Sequence, residues 1–141
     1  METENKKQTV LRLIGDIGTN PDAEKELIKI CAPVIVYHYK IASDFEVLSE
    51  MGWDSYYTPY DCNIESYCGM TGTSIGFSAK CEGFEKISYP RMSLDWLNDD
   101  SEESYKQVCK AKKATLIDKQ IEEYKKKITS LEKKREEILN K

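Results

Sequence analysis

Three cysteines, Cys62, Cys68 and Cys81, fall within CNIESYCGMTGTSIGFSAKC at the spacing C-x5-C-x12-C, with Cys31 and His38 upstream as further ligand types. Structural zinc sites usually carry a short pair such as C-x2-C, because a tight knuckle aims two thiolates at one ion. Neither interval is of that kind, so the sequence predicts no metal and no cofactor. Cys81 stands on the apolar side of an alternating run, where cysteine acts as a small hydrophobe. The fifth cysteine, Cys109, makes the count odd, and METENKKQTV has no apolar leader core; together these predict free thiols and a cytoplasmic protein.

His38 is the sole histidine, so any Ser-His or Cys-His arrangement must use it. It sits among large apolar residues, the setting of a packed side chain rather than a base. Asp54, Asp61 and Glu65 flank an aromatic loop, and loop carboxylates can form a hydrolytic pair or bind a divalent ion. No spacing marks them as doing so. GMTGTSIG has the glycines of a phosphate loop but lacks its Gly-Lys-Ser/Thr ending and precedes a strand. The chain is therefore read as a non-enzyme.

The same loop is the better candidate for recognition. WDSYYTPYDCNIESY gathers Trp53, Tyr56, Tyr57, Tyr60 and Tyr67 beside Asp54, Asp61 and Glu65, with Tyr89 joining them if the next strands lie alongside. Tyrosine and tryptophan supply large contact areas at low entropic cost, as interfaces do; the alternative is that they cap the end of a sheet. Base-stacking platforms come with cations, and no Lys or Arg occurs between residues 41 and 79.

The elements that would position these residues read as α+β. Val10, Leu13, Ile14 and Ile17 make one stripe of a short helix, and Asn20 and Pro21 start a second that Pro33 ends. VIVYHYKIA, residues 34–42, is rich in β-branched and aromatic residues and predicts a strand, with a second around FEVL. TSIGFSAKC, residues 73–81, alternates strictly, as a half-buried antiparallel strand does, and FEKISY returns beside it. The helix pair invites a helix-turn-helix reading, but Asp22 and Glu24 stand where phosphate contacts would need cations.

The last segment carries a heptad seam: Ala114, Ile117, Ile121, Tyr124, Ile128, Leu131, Arg135 and Ile138 recur at intervals of three and four. The chain thus divides into a domain over residues 1–100 and a C-terminal helix over 101–141. Ile117, Ile121, Tyr124, Ile128, Leu131 and Ile138 are the predicted dimerisation residues, first as a parallel pair that sets Lys127 against Glu132 of its mate. The alternative is packing on the N-terminal helices of the same chain. Residues 105–141 hold twelve Lys and Arg against six Asp and Glu, a net +6, and residues 1–104 hold nine against nineteen, a net −10. Lysines on the helix interleave with Glu122, Glu123, Glu136 and Glu137, the pattern of a solvated surface rather than a nucleic-acid footprint. No run approaches the roughly 18 apolar residues of a membrane helix.

From Cys62 onward, a short glycine-bearing sheet runs through SYPRMSLDWLNDD into a Lys/Glu-rich terminal helix, and this order of parts resembles small bacteriophage accessory proteins. The resemblance implies a protein acting in the cytoplasm of an infected cell, in a class that includes inhibitors of host defence. The reading is a non-enzymatic binding module that blocks or scaffolds a host protein through the acidic aromatic face and dimerises by its helix. Two alternatives stand beside it. An acidic mimic of nucleic acid would occupy a basic cleft, and a ligand-binding or hydrolytic protein would use Tyr57, Asp61 and His38.

Overall fold

A computed structural model describes residues 5–53, 62–81 and 87–141. It is α+β, with helices α1 (Lys6–Asp16) and α2 (Ala23–Asp44), strands β1 (Cys62–Thr71), β2 (Ser74–Cys81), β3 (Ile87–Ser88) and β4 (Arg91–Ser93), a 3-10 turn (Leu94–Leu97) and helix α3 (Ser101–Leu139).

Helix α1 opens with a capping box. The Asn5 side chain accepts from the Gln8 N–H at 2.8 Å, and the Gln8 side chain accepts from the Asn5 N–H at 3.0 Å. Its Val10 and Leu13 are buried, as the stripe predicts.

Helix α2 corrects two expectations. It runs through Pro33, and VIVYHYKIA is its second half rather than a strand. The reason is tertiary: Leu27, Cys31, Ile35, His38 and Ala42 recur at helical spacing across the proline and are all buried. Packing of that stripe overrides the β propensity of the residues between. Pro33 and Lys29, whose carbonyl loses its helical partner to the proline, are both exposed residues. FEVL is no strand either. Glu46 takes φ 56°, the Glu46 N–H bonds the Ser43 carbonyl at 3.0 Å, and the Val47 N–H bonds the Ala42 carbonyl at 3.0 Å. That is a Schellman termination, and it sends the apolar Val47 back into the core.

Strands β1 and β2 form a hairpin closed by Gly72–Thr73, with Gly72 at φ 60°. Ile75, Phe77, Ala79 and Cys81 of β2 are buried, matching the alternation read from the sequence. Strand β1 carries two register shifts, at Ile64/Ser66 and Tyr67/Gly69. On the other side of β2, β3 and β4 lie end to end in one unbroken register, from Lys80 opposite Ile87 to Ser74 opposite Ser93. Pro90 falls opposite Phe77, accepts the Phe77 N–H at 3.0 Å and has no N–H to return. The ladder is interrupted there. Leu27, Cys31 and Ile35 of α2 join Ile75, Phe77 and Met92 of the sheet in the main core, which Val10 and Leu13 of α1 complete.

The free-thiol expectation is corrected at the open end of the hairpin. Cys62 and Cys81 are cross-strand partners with Cα atoms 4.0 Å apart and form a disulfide. Composition and compartment say nothing of register, and register decides the matter. Cys31 and Cys109 are buried free thiols and Cys68 is an exposed one; burial pushes the Cys31 thiol up to about 12.

Helix α3 is 39 residues long, about 58 Å at 1.5 Å per residue. Only its first four turns meet the body, through buried Ser101, Tyr105 and Cys109 and half-buried Leu116. No helix among the described residues is long and apolar enough to cross a membrane.

Candidate functional site

His38, buried in α2, sits in the densest polar and aromatic cluster of the body. Its Nδ1 is 2.8 Å from the Val34 carbonyl and its Nε2 is 2.8 Å from Ser101 Oγ. A carbonyl can only accept, so Nδ1 carries the proton and Nε2 accepts from the Ser101 hydroxyl. Burial holds the imidazole below its usual pKa, against smaller opposing effects from the Val34 hydrogen bond and the Glu102 charge. Trp96 stacks on the ring at 4.3 Å between centroids, and Tyr105 meets it edge-on at 4.8 Å. A serine hydroxyl on a histidine nitrogen is the geometry of an activated nucleophile. Here the far nitrogen meets a neutral carbonyl instead of a carboxylate, and neither residue lines the cavity described below. The pair joins α2 to the start of α3 as a strut.

Trp53 extends the same cluster. Its indole N–H donates to Tyr105 Oη at 2.8 Å, and its ring meets Tyr39 at 5.3 Å and Trp96 at 5.8 Å. Burial pushes the Tyr105 phenol up to about 12, the bond from Trp53 opposing it. Of the other predicted recognition residues, Asp54, Tyr56, Tyr57, Tyr60 and Asp61 lie outside the described residues. Glu65 is exposed on β1, and Tyr67 is half-buried with its ring edge-on to Phe77 at 6.2 Å. Among the described residues no group of three or more His, Cys, Asp or Glu could hold a metal ion.

The heptad seam is placed as an unpartnered stripe. Ile117, Ile121, Tyr124, Ile128, Leu131 and Ile138 are between 43% and 67% exposed. At about 100° per residue, the stripe is centred roughly a third of a turn from the one formed by Ser101, Tyr105 and Cys109. The alternative of packing on the N-terminal helices is not what this structure has: beyond Leu116 every residue of the helix is exposed.

A half-open groove of about 1240 Å³ lies between α2 and the sheet. One wall is Ile28, Ala32, Val36, Tyr37 and Lys40 of α2, and the other is residues 87–93. Ile64 and Trp96 contribute apolar surface between them, over the buried Ile35 and Met92. No protein family, curated protein or solved structure matches the chain. The surfaces themselves must therefore carry the functional argument. Sequence reasoning missed Lys40, Tyr89 and Arg91 as groove residues, because the strand reading of residues 34–42 put Lys40 on a sheet and left no helical wall for a groove to have.

Proposed function

We propose that the chain is a non-enzymatic protein-binding module that self-associates through α3. The observation supporting this is the seam. A helix projecting about 35 Å beyond its body with six large apolar residues on one stripe leaves in water surface that a second helix would cover. A second copy is the occupant that the charges favour. In a parallel, in-register pair, Lys113 faces Asp118 and Lys127 faces Glu132 across both flanks, and no flank pair sets like charges together; the one like-charge meeting is Arg135 with Arg135 of its mate at a seam position near the C-terminal end. A fully overlapped antiparallel pair would set Lys113 against Lys134. The third of a turn between seam and body-facing stripe turns the seam away from the body, toward where a second helix would lie.

The partner side of the reading rests on the body, net −10, and on the acidic aromatic residues 53–67. The resemblance to phage accessory proteins supplies the class of target, a host protein. Sedimentation equilibrium of the whole chain tests the self-association: a dimer at micromolar concentration is expected, and a monomer at several hundred micromolar would refute it.

A further inference from the structure

We propose that the groove between α2 and residues 87–93 binds an extended peptide segment of a protein partner, apolar along one side and acidic along the other, by adding it to the sheet as a strand. The proposal rests on the protein-binding reading and adds to its acidic aromatic face a second surface, with the chemistry of what that surface takes.

The register of β2 carries the argument. Phe77 bonds to Pro90, and the Leu94 N–H bonds the Thr73 carbonyl at 2.7 Å. In an antiparallel ladder, bonded and non-bonded pairs alternate. Residues 88, 90, 92 and 94 therefore turn their backbone groups toward β2, and Ile87, Tyr89, Arg91 and Ser93 turn theirs away from it. No strand pairs with that outer edge among the described residues. All four outward residues line the groove, whose opposite wall is helical. A strand edge facing a helix across an apolar trough is the arrangement that accepts a peptide by strand addition, with backbone bonds providing affinity and side-chain pockets providing selectivity.

Charge selects the occupant. The body is strongly acidic, yet the charged groove residues among those described are Lys40 and Arg91, both exposed cations. Arg91 also donates to Ser74 Oγ on β2 at 3.3 Å, so its guanidinium leans over the sheet face next to the edge strand. An added strand would set one row of side chains toward Trp96 and the α2 wall that carries Lys40, and the other row toward the face that carries Arg91. The other long edge, on β1, is less suited, because its two register shifts break the even spacing that a ladder needs.

The test is an amide-resolved NMR titration of the whole chain with two synthetic probes, acetyl-EVEVEVE-amide and acetyl-KVKVKVK-amide, up to millimolar concentration. The acidic probe is expected to shift the amides of Tyr89, Arg91 and Ser93 and slow their hydrogen exchange, and to bind at least tenfold more tightly than the basic one. Lys40→Glu with Arg91→Glu, both at exposed positions, is expected to reverse that preference while leaving the remaining amide spectrum unchanged. Slow exchange of these amides in the free protein, absence of shifts in the groove, or equal binding of both probes would overturn the proposal. Neither readout involves α3. A failed titration with the dimer intact removes the groove alone, and a monomer that still binds the acidic probe removes the self-association alone.

Discussion

Replacing Ile121 and Ile128 with Asp places a carboxylate at two core layers of the proposed α3 pair, one on each side of the Tyr124 layer. Both isoleucines are about half exposed in the single chain, at 45% and 54%. Pairing therefore recovers about half of the roughly 1.5–3 kcal/mol that full burial of such a side chain supplies, or about 1 kcal/mol each. Two sites on two helices make about 4 kcal/mol lost from the dimer, before any cost of placing carboxylates against one another. At 1.4 kcal/mol per decade that is at least a several-hundredfold weaker dissociation constant. The body should be untouched, because neither residue meets it. Sedimentation equilibrium should give a monomer where the unmodified chain is a dimer, and near-ultraviolet circular dichroism should keep the signal of the Trp53–Trp96–Tyr105 cluster. A doubly substituted chain that still dimerises would refute the seam as the interface, and loss of the aromatic signal would show that α3 beyond Leu116 supports the body.

Lys127→Glu should weaken the dimer by about 1 kcal/mol, since it turns two attractive flank pairs repulsive, and Glu132→Lys in the same chain should restore it; failure of the restoration would refute the parallel register. Since burial lowers the folded-state pKa of His38, the ring resists protonation in the fold, and stability should fall as pH drops through the free-histidine value near 6.5. The loss is at most about 1.4 kcal/mol per pH unit while the ring stays neutral in the fold. Chemical denaturation at pH 7.5 and 5.5 reads it, and His38→Phe should flatten that part of the dependence. Reduction of Cys62–Cys81, whose partners are 19 residues apart, should lower stability by roughly 2–3 kcal/mol, seen as a shift in urea midpoint between reducing and oxidising buffer. Ser101→Ala leaves the buried Nε2 of His38 without its donor and should destabilise the chain by about 1–3 kcal/mol in the same assay.

The α+β class, the first helix, strand β2 and the terminal helix were legible because each declares itself by local periodicity. Helix α2 was not. Pro33 and the run Val34–Tyr37 carry local signals of a break and a strand, while the deciding stripe of Leu27, Cys31, Ile35, His38 and Ala42 spans the proline and shows only when the whole window is read at 3.6 residues per turn. The Cys62–Cys81 pair was hidden by bulges that make strand register unreadable from sequence. The groove was hidden for a related reason. What marks Ile87, Tyr89, Arg91 and Ser93 is the direction of their backbone groups, which depends on the register against β2 and not on their side chains.

The length of α3 beyond the body bears on how a partner would be held. The proposed parallel pair would join two copies along seams that begin where the bodies end, so both bodies would stand at the same end of the rod and both grooves would belong to one particle. A target presenting two acidic extended segments, on two subunits or on neighbouring molecules of an assembly, then meets the second groove at an effective concentration set by the span between them rather than by bulk solution. Two weak strand additions can together outlast either alone by 10²–10⁴-fold, provided the spacing of the segments matches that of the two heads. In such a pair the free half of α3, exposed beyond Leu116, would determine which targets are held long enough to matter.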